Sequence, residues 1–104
     1  MNQIEWSKAV EEGAVEWSAH ALKTMFERDI SREAVKHIVC TGEVIEAYPT
    51  DKPFPSVLML GSWQNKPLHA VIAYDMSDKW LYVITAYEPD EEHFESNWKI
   101  RRVK

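Results

Sequence analysis

Cysteine is scarce in this 104-residue chain, and long apolar runs and metal-binding motifs are missing from it. With Cys40 as its single cysteine, the chain can form neither an internal disulfide nor a four-thiolate zinc site. Its four histidines lack HxxxH or HxH spacing, so no metal and no cofactor is expected. They are His20, His37, His69 and His93.

Membrane and export signals are also missing from the sequence. No apolar run approaches the roughly 18 residues that span a bilayer, so we expect no membrane segment. The first residues show no basic region followed by an apolar stretch, so no secretion signal is expected. Together with the single cysteine, these features indicate a reduced, cytoplasmic protein.

Positive charge is in short supply, with 12 lysines and arginines against 17 acidic residues and a net charge of −5. This balance argues against strong non-specific binding to nucleic acid, which requires phosphate neutralisation by cations. The cations gather at the end, where Lys99, Arg101, Arg102 and Lys104 follow an acidic stretch. Five tryptophans are many for this length. Most should pack in the core, and any exposed one would mark a binding surface.

The first 42 residues have the pattern of three short amphipathic helices. Helices are predicted over residues 3–12, 19–28 and 32–41, with Ser18 and Ser31 as N-caps of the last two. Gly13 and Gly42 end the first and third helices. In the second helix, Leu22, Met25 and Phe26 form the expected apolar stripe. His20, Lys23 and Arg28 fall on its polar side.

The remainder alternates like strands, over residues 43–48, 56–63, 68–74 and 79–87. The prolines of residues 48–55 predict an exposed, non-helical loop. Short turns between the later strands predict an antiparallel meander. Residues 1–104 should therefore form one α+β domain, with N-terminal helices on one face of an antiparallel sheet of about four strands.

The last hairpin can be sorted into two faces if Tyr74 opposes Lys79. Period-two alternation then places an aliphatic set under the helices. That set is Leu68, Ala70, Ile72, Leu81 and Val83. The opposite face carries His69, Val71, Ala73, Trp80, Tyr82 and Ile84.

Two histidines are candidates for a general base, because imidazole exchanges protons near neutral pH. His69 lies mid-strand among apolar residues, where it could equally be a half-buried, hydrogen-bonded histidine. His20 opens the second helix, where the helix dipole would favour its neutral form, but it could be an ordinary solvated residue.

Arginines and tyrosines supply the remaining candidates for catalysis and substrate binding. Arg28, Arg101 and Arg102 could clamp a phosphate through bidentate hydrogen bonds, or could each form a salt bridge. Tyr82 and Tyr87 could orient a phosphate or stack on a base, or could simply pack at strand ends.

Several segments together resemble a small bacterial and archaeal family. Residues 17–31, WSAHALKTMFERDIS, match its opening helix pair, which reads S-x-H-A, then R-M, then R-G-I-S. The resemblance continues through residues 41–49, 67–75 and 83–90 and ends near Trp98 and residues 101–102. The chain is identified on these segments as a member of domain-of-unknown-function family four-two-five-eight. Lys23 stands where the family often has arginine, which keeps the charge but not the bidentate geometry.

This family looks like a distant relative of the RelE/ParE-type toxins, whose helices precede an antiparallel sheet. The resemblance implies a type II toxin–antitoxin role with a zinc-containing antitoxin of the MqsA type as partner. We therefore expect a toxin-like, metal-independent endoribonuclease acting on RNA. The alternative is a non-catalytic protein-binding or regulatory module.

Each role in the expected ribonuclease reaction is assigned to candidate residues. His20 or His69 would be the base, with Arg28 and Arg101 on the phosphate. Lys23, Tyr82, Tyr87 and Arg102 would contact the substrate. The face opposite the helices is expected to be left partly uncovered, bordered by Arg101, and to form a concave site, a homodimer interface or an antitoxin interface.

Overall fold

The computed structural model describes residues 3–91 and 93–101, which form three helices and one five-stranded sheet. The expected α+β class is therefore confirmed. The helices are α1 (Gln3–Glu11), α2 (Ala19–Arg28) and α3 (Arg32–Thr41). The strands are β1 (Val15–Trp17), β2 (Glu43–Tyr48), β3 (Ser56–Trp63), β4 (Lys66–Asp75) and β5 (Trp80–Tyr87). Arg102 lies outside the described residues.

The helix ends follow the capping residues of the sequence. Ser18 and Ser31 each accept a hydrogen bond from the backbone N–H three residues on, at 2.9 and 3.0 Å. Gly13 follows α1 and has a φ of 73°. Glycine adopts this left-handed backbone conformation without steric strain, so it suits the end of a helix. These local signals fix the starts of α2 and α3 where they were predicted.

The sheet order is β1-β5-β4-β3-β2, with β2 to β5 antiparallel. β1 was not predicted: it pairs with β5 in parallel at the sheet edge. Gln64 and Asn65, both with positive φ, make a two-residue turn, so β4 begins earlier than predicted. Tyr74 opposes Leu81 instead of Lys79. This two-residue shift keeps Leu81, Tyr82 and Val83 on their expected faces, since the period of a strand is two. A β-bulge then changes the alternation of β5 after Val83, which places Ala86 in the core and Tyr87 opposite His69.

One face of the sheet packs against the helices and is called the helix face. α2 lies on β5, α3 lies on β3 and β4, and α1 packs on α3. Gly61 permits the close approach of α3, because a Cβ there would lie 2.4 Å from Ile38 Cδ1. The core residues of the strands on this face include Val57, Met59, Ala70, Ile72, Leu81 and Val83.

The predicted stripe of α2 is partly wrong. Met25 is buried together with Ala21, but Leu22 is 37% and Phe26 is 90% exposed. Leu22 and Phe26 follow Ala21 and Met25 by one residue each, which turns them about 100° away from the sheet. Because α2 rests on β5 near the sheet edge, no described element covers this side.

The opposite side of the sheet is partly covered by the chain's C-terminal segment, residues 89–91 and 93–101, called the strap. The side is accordingly called the strap face. Phe94 and Arg101 form an isolated antiparallel bridge within the strap, and Phe94 is buried. Lys99 Nζ reaches Glu43 Oε1 on β2 at 2.9 Å. The loop between β2 and β3 is non-helical and mostly exposed, as predicted.

Candidate functional site

A group of polar side chains meets on the strap face at one end of the sheet. His69 on β4 is directly opposite Tyr87 on β5. Glu46 and Tyr48 stand two residues apart on β2, so both point to the same face. Arg101 of the strap joins them by binding Glu46. We call these five side chains the strap cluster.

His69 is fully buried and both of its ring nitrogens have partners. The carbonyl of Trp98 can only accept, so Nε2 donates to it at 2.7 Å. Nδ1 is then the acceptor for the hydroxyl of Tyr87 at 3.3 Å. The ring of Phe94 meets the imidazole edge-on, with 4.5 Å between centroids. This environment suits a neutral imidazole.

The electrostatics of His69 agree with that geometry. Burial lowers the pKa of His69, and the positive charge of Arg101 lowers it further. The hydrogen bond with Trp98 and the charge of Glu46 oppose this shift without cancelling it. His69 is therefore neutral near pH 7 and holds Tyr87 in place.

Glu46 is the anionic centre of the strap cluster. Arg101 donates from Nε to Oε2 at 3.0 Å and to Oε1 at 3.3 Å, and the Tyr48 hydroxyl donates to Oε1. Burial raises the pKa of Glu46, but the bonds from Tyr48 and Arg101 outweigh it, so the net pKa is lowered. Glu46 is thus a carboxylate at neutral pH.

The two phenols of the strap cluster stay protonated. Burial raises the pKa of Tyr87, and Arg101 only partly opposes this shift. Burial and the bond to Glu46 raise the pKa of Tyr48. Arg101 also lies over the ring of Phe94, 5.0 Å from its centroid. The cluster therefore presents a carboxylate, two hydroxyl donors and a guanidinium side by side.

The strap face is left partly uncovered, as expected, but the opening lies away from His69. His69, Trp80 and Tyr82 share this face, as predicted, and Arg101 borders it. The strap nevertheless closes over His69, so no concave site lies directly above that ring. The far half, where Trp80 is 38% and Ile84 is 37% exposed, is partly open.

The candidates divide between the two sides of the sheet. His69, Tyr87 and Arg101 come together in the strap cluster. His20, Lys23 and Arg28 are exposed on α2, which packs on the helix face. Among residues 3–91 and 93–101, no hydrogen bond or ion pair joins these three to the strap cluster. The sheet separates the two groups.

Glu46 and Tyr48 were not among the sequence candidates. Their spacing of two residues on a predicted strand already indicated a shared face. Their partner Arg101 is 55 residues away from Glu46 in sequence, however, so only the folded chain identifies them as a pair.

No three His, Cys, Asp or Glu side chains of the described residues gather in a way that could hold a metal ion. Within the same residues, no helix is long and apolar enough to cross a membrane.

These features define a small α+β domain with an acid–base cluster on the sheet face opposite its helices. A family model for a domain of unknown function, DUF4258, matches residues 17–88, more than half of the chain. The chain therefore belongs to this family. No curated protein and no solved structure is similar enough to be matched to it. The matched region contains Glu46, Tyr48, His69 and Tyr87 and ends before the strap.

Proposed function

We propose that this protein is the toxin-like component of a type II toxin–antitoxin pair and cleaves RNA without a metal ion at the strap cluster. The observation that carries the proposal is the convergence of Glu46, Tyr87 and Arg101 in one cluster. The neutral ring of His69 is hydrogen-bonded to the Tyr87 hydroxyl. These are the groups that acid–base cleavage next to a 2′-hydroxyl needs.

Each group has one task in the proposed reaction. Glu46 takes the proton from the 2′-hydroxyl, whose oxygen forms a new bond to the adjacent phosphorus. The bond from phosphorus to the 5′-oxygen breaks as the Tyr87 O–H turns from His69 Nδ1 to that oxygen and gives it the phenolic proton. The Tyr87 oxygen then regains a proton from solvent, and Glu46 releases to solvent the proton that it took. The products are a 2′,3′-cyclic phosphate and a 5′-hydroxyl.

Arg101 and His69 support this reaction in different ways. The guanidinium of Arg101 stabilises the negative charge that develops on the phosphate oxygens. It has five N–H donors, of which Nε contacts Glu46, so the planar group can face a phosphate beside the carboxylate. His69 is a positioning residue that orients the Tyr87 hydroxyl. The net charge of −5 predicts weak binding to generic RNA and favours a specific target or docking site.

Cleavage of a short labelled RNA in the presence of a chelator tests the proposal. Glu46→Gln and Tyr87→Phe should each lower the cleavage rate by about 100-fold or more, since each removes one proton-transfer group. Arg101→Ala should lower it by a similar factor. Product ends should carry a cyclic phosphate.

The earlier candidates on α2 provide the matched controls. Arg28→Ala removes the same residue type as Arg101→Ala, and His20→Ala removes the other candidate base, both from exposed positions on α2. Both variants should cleave at the unaltered rate. A rate unaffected by Glu46→Gln and Tyr87→Phe together would refute the proposed site. Cleavage abolished by the chelator would refute the metal-independent chemistry.

A protein-binding role is the second candidate, and the exposed side of α2 favours it. Phe26 is 90% exposed and lies one turn from Leu22, which is unusual for a large aromatic side chain. This pair could receive an antitoxin, the zinc-containing partner implied by the family resemblance. Growth arrest on expression of the chain alone, relieved by co-expression of a neighbouring zinc-protein gene, supports the toxin. A binding partner without any growth effect supports the regulatory module.

A further inference from the structure

A cavity lies on the half of the strap face that the strap leaves partly open. Its volume is about 330 Å³, within the usual range for a small-molecule site. The ring of Phe54, from the loop between β2 and β3, stacks on Tyr82 of β5. The centroids are 5.4 Å apart and the rings are tilted by only 14°. The cavity is therefore bounded by flat aromatic surfaces.

The unpredicted strand β1 supplies the polar side of this cavity. Glu16 pairs with Tyr82 across the parallel β1–β5 ladder, so its carboxylate stands beside the Tyr82 ring. Ser18 also lines the cavity and donates from Oγ to the backbone oxygen of Ile84 at 2.8 Å. Lys52, from the loop between β2 and β3, also lines the cavity and places a positive charge there.

We infer that this cavity binds a nucleobase, and that guanine fits it best. Aromatic side chains bind single-stranded nucleic acid by stacking on the faces of its bases. A carboxylate has acceptors and no donor, so Glu16 favours a base edge that presents N–H groups. Guanine offers two on adjacent positions of its Watson–Crick edge, whereas uracil offers one between two carbonyl oxygens. Lys52 can meet the neighbouring phosphate.

The position of the cavity relates it to the strap cluster, and this part of the inference rests on the proposed function. Ala73 lines the cavity, and His69 of the strap cluster lies four residues earlier on the same face of β4. Four residues of strand span about 13 Å. A short single-stranded RNA could therefore place one base on Phe54 and Tyr82 and a nearby phosphate beside Arg101.

Binding of GMP and UMP to the full chain, measured by calorimetry, tests the inference. GMP should bind at least fivefold more tightly than UMP. Phe54→Ala should weaken GMP binding by about tenfold, since it removes a stacking surface. Glu16→Gln should reduce the preference for GMP over UMP. Phe26→Ala removes an exposed aromatic ring on α2, outside the cavity, and should leave binding unchanged.

Two further measurements separate this inference from the proposed cleavage. Glu46→Gln should abolish cleavage and leave GMP binding unchanged, because the two sites use different side chains. In cleavage assays, Phe54→Ala should raise KM for guanine-containing RNA with little change in kcat. Equal affinity for GMP and UMP would overturn the inference, as would GMP binding that survives Phe54→Ala. GMP binding that depends on Phe54 in a chain without ribonuclease activity would support the inference and refute only the proposed cleavage.

Tighter binding of a guanine-containing hexanucleotide than of GMP, with the same dependence on Phe54, would identify RNA as the source of the base. Equal affinities would identify the free nucleotide as the ligand.

Discussion

The two faces of the sheet are covered by very different means, and the strap face only in part. The helix face meets three helices, which satisfy their own backbone hydrogen bonds and contribute apolar side chains such as Val35 and Ile38. The strap face meets a segment with little regular structure, held by Phe94, by the Trp98 carbonyl on His69, and by Arg101 on Glu46. A cover of the second kind places polar groups where chemistry can use them.

This difference indicates that stability and function are assigned to opposite sides of one sheet. Alternation along β4 places Ala70 and Ile72 among the helices and His69 and Ala73 on the strap face. Substitutions on the helix face should therefore change the free energy of unfolding most. Substitutions on the strap face should change local opening, pH dependence and activity.

The largest effect is expected for Ile38→Ala on α3. Ile38 is fully buried and packs against Gly61 of β3, so truncation leaves a cavity between α3 and the sheet. The free energy of unfolding should fall by about 2–5 kcal/mol. Urea denaturation followed by circular dichroism measures it. A loss below 1 kcal/mol would mean that packing between the helices and the sheet contributes little to the free energy of unfolding.

A smaller loss is expected for Phe94→Ala, although phenylalanine has the larger side chain. Phe94 is buried against His69, but we expect the strap, which has little regular structure, to detach without unfolding the sheet. The cost to global unfolding should therefore stay under about 3 kcal/mol. Amide exchange of the strap should accelerate while that of β3 and β4 remains slow.

The comparison between these two variants is the informative measurement. If Phe94→Ala destabilised the chain as much as Ile38→Ala and exchange accelerated equally in all strands, the strap would be an integral part of the core. The division of the sheet into two faces would then be wrong in energetic terms.

Local signals in the sequence predicted most of the fold. Serine caps set the starts of α2 and α3, and alternation sorted the strands even though the turn after Tyr74 was misjudged. β1 was not predicted because three residues are too few to show a period, and because its partner β5 is distant in sequence. Alternation also put His69 on the correct face. Its burial depends on contacts with the strap, and no local sequence pattern predicts these contacts.

A pH-dependent loss of stability is the third prediction, and His69→Gln should remove it. Because burial lowers the pKa of His69 in the folded chain, the unfolded chain binds a proton first as the pH falls below about 6.5. Stability is therefore unaffected by this group above that pH. It declines below it, by up to about 1.4 kcal/mol per pH unit, until the folded-state pKa is reached.

Denaturation midpoints between pH 7.5 and 5 measure this slope. His69→Gln should flatten it relative to the unaltered chain, and His20→Gln, at an exposed position on α2, should not. A slope that persists in His69→Gln would show that another group controls acid sensitivity and that the imidazole is not held neutral by burial.

The smallest effect is expected for Phe26→Ser. This variant tests whether the exposed side of α2, which carries Leu22 and Phe26, contributes to the packing of the domain. The Phe26 side chain is 90% exposed, and serine and phenylalanine have similar helix propensities. The free energy of unfolding should therefore change by no more than about 0.5 kcal/mol. A loss above 1 kcal/mol that grows with protein concentration would instead mean that a second copy of the chain covers Leu22 and Phe26. Sedimentation of the unaltered chain and of Phe26→Ser at matched concentrations distinguishes these results, because only a dimer held by this side of α2 would dissociate in the variant.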